Sequence, residues 1–181
     1  MKILLINLLC VGMILTVSCG DDDGTERPTS VVTSGRAVLT SYVTDNRISA
    51  FSFEREGVIS VTGNETYDFA LTNITDPTGV PQGVLLSGPF FRTDFTLYKD
   101  GNVSVDMDLF EETNEVPETA EWNPSFTSVQ SNSIVFVRTR NGNYGKLFIQ
   151  DVEQVLSPHG GEVYTTVTFD WVYQPNGTRQ F

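Results

Sequence analysis

The chain has a single histidine, His159, in the segment Ser157-Pro158-His159-Gly160-Gly161 between two strand-like runs. Two readings of it are open. Pro and Gly neighbours fit a polar turn residue, while a neutral imidazole on an exposed loop also suits axial ligation of haem iron. Met107 is the other soft ligand candidate; its alternation with Val103, Val105 and Leu109 on a strand-like run favours core packing instead. Asp106, Asp108, Glu111, Glu112, Glu115, Glu118 and Glu121 make an oxygen-rich segment without a basic residue. Hard cations favour oxygen ligands, but the fixed ligand rhythm and glycine of an EF-hand are missing, so a solvated loop is the favoured reading and no metal site is assigned. No G-x-S-x-G, H-E-x-x-H or phosphate-cradling glycine loop occurs, and nothing near His159 in the sequence offers a nucleophile. No catalytic set is assigned, and a non-enzymatic role is expected.

The cysteines carry a different chemistry. Lys2 precedes an apolar stretch over 3–17, broken only by Asn7, Gly12 and Thr16, with small residues before Cys19. This is the layout of a secretory signal, and it falls short of the roughly 20 apolar residues of a spanning helix. Leu15-Thr16-Val17-Ser18-Cys19 resembles a lipobox, with its leucine four places before the cysteine rather than three. The expectation is cleavage before Cys19 and a diacylglycerol/acyl lipid on its thiol. Cys10 leaves with the signal, so no intrachain disulfide is expected.

The division that follows is a signal peptide over 1–18, a flexible tether over 19–33 and one domain over 34–181. The tether opens with Gly20, Asp21, Asp22 and Asp23. That acidic run resembles the export signal of Bacteroidota surface lipoproteins; a merely solvated linker is the alternative. A lipid-anchored position on the outer membrane, at the cell surface, is expected. The net charge of −12 becomes −13 without Lys2, which disfavours nucleic acid and anionic headgroups as partners.

The elements that must position these residues read as strands. From 163 to 173 Val163, Thr165, Val167, Phe169, Trp171 and Tyr173 share one face, and the opposite face is mostly polar. Asp100-Gly101 within 95–109 predicts a hairpin, and Arg140 to Asn143 predicts a second one between 134–139 and 144–150. Further strands are expected over 37–43, 48–53, 58–61, 67–71 and 84–86. The segment 147–156 is also compatible with a short amphipathic helix. An all-β, single antiparallel sandwich or barrel-like domain follows, with binding expected in the long connections 73–83 and 110–131.

Three segments together resemble the HmuY-like haem-binding lipoproteins of Bacteroidota. Phe51-Ser52-Phe53-Glu54-Arg55-Glu56-Gly57-Val58 with Thr66-Tyr67-Asp68-Phe69-Ala70-Leu71 is similar to that family's strand, E-x-G turn and W-D-I-A-F element. Ile134-Val135-Phe136-Val137-Arg138-Thr139 with Gly142, Tyr144, Lys146-Leu147 and Ile149 is similar to its hairpin, and 168–177 to its closing strand. The resemblance implies a monomeric hemophore that grips haem in an apolar, aromatic-lined cleft and passes it to a TonB-dependent receptor. Where the founding type uses two histidines, this chain would have His159 with Met107, a tyrosine or a single ligand. The alternative class is a surface module that recognises protein or glycan through its long loops.

Overall fold

Alternate residues of the last long strand, Thr165, Val167, Phe169 and Trp171, are buried while their neighbours are half-buried, as a period-two strand facing a core requires. The computed structural model describes residues 31–42, 48–75, 77, 81–88, 93–99, 107–127, 129–156 and 163–181. Among these the elements run β1 (Thr33–Thr40), β2 (Ile48–Ser52), β3 (Gly57–Val61), β4 (Phe69–Thr75), β5 (Pro81–Ser87), β6 (Asp94–Lys99), α1 (Met107–Glu112), β7 (Ser125–Phe126), β8 (Ser133–Arg138), β9 (Tyr144–Leu156) and β10 (Val163–Gln174). Two five-stranded sheets result, β1-β10-β9-β8-β6 and β3-β2-β4-β5-β7. Every named pairing is antiparallel, and the sheets remain two separate ladders, so the fold is a sandwich and not a closed barrel.

The inner faces meet in an aromatic core. Phe51 of β2 lies 5.1 Å from Phe53, 5.2 Å from Phe69, 5.3 Å from Phe169 and 5.5 Å from Trp171, ring centre to ring centre. Offset and edge-on geometries at these spacings add to the burial energy of the rings. Gly145 permits the approach of Phe53, because a Cβ there would lie 2.4 Å from the Phe53 ring.

Of the hairpin expected over 95–109, the described parts are strand at one end and helix at the other. β6 pairs with β8, Lys99 meeting Ile134, and Met107, expected on a strand, begins helix α1; residues 100–106 lie outside the described ones. Local alternation gives way here to tertiary packing. Phe110 is buried with Ile134 and Phe148, and Met107, Leu109 and Val172 pack against that cluster on the outer face of the first sheet. The helix ends on a side chain: Lys146 Nζ donates to the carbonyls of Phe110 at 2.7 Å and Thr113 at 2.8 Å. Carbonyls at a helix C-terminus lack intrahelical donors, and a cation there answers both their hydrogen-bonding need and their partial negative charge. Lys146 is only 3% exposed, and its ammonium also faces the rings of Phe110 and Phe181 at 4.4 and 5.2 Å.

The helix-compatible segment 147–156 is strand, paired with β8 on one side and β10 on the other. The long connections are shorter or more structured than expected. Thr75 pairs with Pro81, so Asn73 to Thr75 and Pro81 to Gly83 belong to a hairpin. In 110–131, Val116 is 1% exposed; its N–H donates to the Arg179 carbonyl at 2.9 Å and its carbonyl accepts from Arg179 Nε at 2.9 Å. Phe126 and Val129 join the main core, so this connection is a packed cover more than a free loop. Its carboxylates Glu111, Glu112, Glu115, Glu118 and Glu121 are exposed, and no cluster among the described residues is arranged to hold a metal ion.

Candidate functional site

At the end of the sandwich where β8 turns into β9, a cavity of about 370 Å³ opens between three turns. Its first wall is the β2–β3 turn. Glu56 N–H donates to Phe53 O at 3.1 Å, and Glu56 takes a φ of 53°, in the left-handed region that a non-glycine residue occupies at some cost. The turn therefore places its positive φ one residue before Gly57, with Glu54 and Glu56 both exposed on it.

The second wall is the approach to β4. Asp68 Oδ2 accepts from Phe53 N–H at 2.8 Å, and Asp68 N–H donates to Phe51 O at 2.9 Å, locking the two chain segments together. Burial drives the Asp68 carboxyl up to about 6, the Phe53 N–H opposes that rise, and the charge of Glu54 adds to it. Tyr67, 8% exposed, lies alongside; burial raises its phenol above the ordinary tyrosine value.

The third wall comes from the β8–β9 turn and the end of β10. Thr139 N–H donates to Asn143 O and Gly142 N–H to Thr139 O, each at 2.9 Å, with Gly142 at a φ of 76° closing the turn. Asn143 Nδ2 donates to the Tyr173 hydroxyl at 2.9 Å, and the Tyr173 ring stacks on Phe53 with centres 4.7 Å apart. Tyr173 is raised by burial first, with the Asn143 hydrogen bond opposing. The floor is thus aromatic and the rim polar and acidic.

The cavity draws on all three sequence segments that carry the family resemblance, since Phe53 and Asp68, Thr139 and Asn143, and Tyr173 and Pro175 are among its lining residues. Sequence reasoning did not single out Asp68, Tyr67 or Tyr173 as site residues. The signal available was Tyr67-Asp68-Phe69, a carboxylate set between two aromatics at a strand start.

The residues singled out earlier are placed as follows. Met107 is half-buried against the Phe110, Ile134 and Phe148 cluster, away from the inner core. His159 and Cys19 lie outside the described residues. His159 belongs to the connection between Leu156 and Val163, which pair with each other at the far end of the 13-residue β9. That end is roughly 40 Å from Tyr144 at about 3.3 Å per residue. Among the described residues Phe51, Phe53, Phe69, Phe169 and Trp171 are buried at 3% exposure or less.

No protein-family model matches the chain, and no curated protein matches it. Among solved structures the chain is similar to an apo HmuY analog from Tannerella forsythia, at 8% sequence identity and a TM-score of 0.45, with 82% of this chain and 100% of that chain covered.

Proposed function

We propose that this protein is a non-catalytic haem carrier, anchored in the outer membrane by a lipid on Cys19, exposed at the cell surface, and delivering its cargo as a monomer to a TonB-dependent receptor. The observation that carries the proposal is spatial. The three sequence segments that resemble HmuY-like lipoproteins are far apart in the chain, yet they build one frame, with Phe51, Phe53 and Phe69 from the first, Val135, Val137 and Leu147 from the second and Phe169 and Trp171 from the third packed in a single core. Within this reading His159, in the connection 157–162, is the candidate haem ligand, as the family resemblance implies. A neutral imidazole there would offer a nitrogen ligand to haem iron.

Hemin added to the purified chain is expected to give a sharpened, red-shifted Soret band, and His159→Ala is expected to move that band. Absence of the band under both oxidising and reducing conditions overturns the carrier reading; an unmoved band in His159→Ala removes His159 as ligand. The anchor has its own test. Cells expressing the chain and fed a radioactive fatty acid are expected to label it, and Cys19→Ala is expected to abolish the label, whereas a labelled Cys19→Ala protein excludes Cys19 as the attachment point.

A further inference from the structure

Strand β6 is an outer strand of the first sheet, and among the described residues only its beginning is covered. Phe95 N–H donates to Asn123 O at 2.7 Å and Asn123 N–H donates to Phe95 O at 2.9 Å, a single antiparallel bridge to the packed cover over 110–131. On the other side of Glu121 the cover bends away, with Ala120 N–H closing a turn onto Pro117 O at 3.3 Å. Backbone groups of an antiparallel strand face alternate sides, so the N–H and carbonyl of Leu97, two residues beyond Phe95, point to the same open side. Among the described residues no hydrogen bond meets them there. A cavity of about 420 Å³ lies beside this edge, with Leu97 and Tyr98 on one side and Pro117, Ala120 and Glu121 on the other. Leu97 is 45% and Tyr98 37% exposed, and the Tyr98 ring packs on Phe136 with centres 5.3 Å apart.

We propose that this groove takes an extended, positively charged peptide segment of a partner protein, which adds to the edge of β6 as a short strand. The incoming backbone continues the ladder that Asn123 begins, exchanging hydrogen bonds with Leu97, and main-chain pairing of this kind supplies affinity without reading sequence. Side chains on alternate positions of the added strand point to one face, where Tyr98 and Pro117 offer an apolar contact.

Charge selects the occupant. Glu121 lines the groove, and the neighbouring Glu118 has a side chain 87% exposed, with Arg179 at 3.8 Å as its ion-pair partner. A lysine or arginine of the added strand meets opposite charge at this rim, whereas an acidic segment is repelled. A second copy of the chain is disfavoured on the same ground, because it carries the same net charge of −12 and brings the same rim against this one. Sheet edges are commonly blunted by a lysine or a bulge. Here the register shift and Lys99 follow Leu97, so they limit the added strand to a few residues and leave the Leu97 position open. The proposal does not rest on haem binding.

The test is a nuclear magnetic resonance titration of the purified chain with the capped peptide Lys-Val-Lys-Val-Lys. Saturable shifts at the Leu97, Tyr98 and Glu121 amides are expected, and the counterpart with glutamate in place of lysine is expected to give none. Two forms of the peptide N-methylated at alternate residues, one in each phase, separate pairing from mere attraction: the form methylated on the pairing edge must fail and the other must bind. Leu97→Pro removes an N–H that the β8 ladder does not use and is expected to weaken binding about 10-fold, the scale of one hydrogen bond. If Leu97→Pro does not fold, Glu121→Lys carries the test and must weaken binding about 3-fold at low salt, and less at high salt. Unsaturable shifts, equal binding of both methylated forms, an equal response to spermidine, or undiminished binding by the variants overturns the proposal. A concentration-dependent dimer that Leu97→Pro dissolves also overturns it, by assigning the edge to a second copy. Hemin binding is read separately by its Soret band, so failure of the carrier reading leaves this result intact.

Discussion

Phe51→Ala is expected to lower the free energy of unfolding by about 3–5 kcal/mol, the range for emptying a fully buried aromatic position. Phe51 is 0% exposed and packs on four rings contributed by two strands and one turn. Its loss strips partners from both sheets at once. The surrounding groups have little room to collapse, since Trp171 already presses on Gly35, where a Cβ would stand 3.0 Å from the indole. Against a total stability of about 5–15 kcal/mol for an ordinary domain, such a loss removes a large fraction. Urea denaturation of the two proteins checks it, with the midpoint shifted and the slope unchanged. A loss below about 1.5 kcal/mol would contradict the tight packing described and would indicate a core that closes around the gap.

Replacing Lys146 by Met is expected to alter how stability depends on pH. Burial, the dominant effect, pulls the Lys146 ammonium down to about 8, with Glu111 opposing. Below pH 8 the group is charged in both the folded and unfolded states, and folding must bury that charge. Between pH 8 and the unfolded value of 10.5 the folded state releases its proton first, so the unfolded state holds more protons and stability rises with pH. The free energy of unfolding of the wild type, relative to Lys146→Met, is expected to climb by up to about 3 kcal/mol over that window. Taking the difference between the two proteins cancels the tyrosines, whose raised values pull the other way at high pH. A pH-independent difference would mean that the ammonium is better solvated than its two carbonyl contacts and its burial imply. Near neutrality Lys146→Met also leaves the Phe110 and Thr113 carbonyls without their donor, so helix α1 should fray first, visible as faster amide exchange at Thr113.

What was legible in the sequence was whatever is written locally. The alternation ending in Phe169, Trp171 and Tyr173 identified β10, and Asn141-Gly142-Asn143 identified a turn, because side-chain period and positive-φ chemistry act within a few residues. An antiparallel sandwich or barrel-like domain followed from that alternation, and the two separate sheets are what the structure adds. Helix α1 was not legible. Its six residues are too few for helical spacing to stand out, and what stabilises it is Lys146, 33 and 36 residues away from the carbonyls it caps. Met107 and Leu109 alternate as a strand would, yet both begin a helix that packs against Phe148 and Ile134 from another part of the chain. The cavity was half legible. Its three walls were quoted as pieces of a family resemblance, but the bond from Asp68 to the Phe53 N–H spans 15 residues and converts an ordinary strand-start aspartate into a buried carboxyl. Nothing in the spacing of Glu54, Glu56, Tyr67 and Tyr173 announces that they line one cavity.

The direction of β1 gives the molecule an orientation. The strand enters at Thr33, which lines the cavity, and leaves at Thr40, opposite Thr166 and near the Leu156–Val163 pair. A chain held by a lipid on Cys19 therefore enters its domain at the cavity end. On the proposed anchor at Cys19, the acidic cavity is the end of the domain joined to the tether, and the Leu156–Val163 pair lies at the opposite end of β9 and β10.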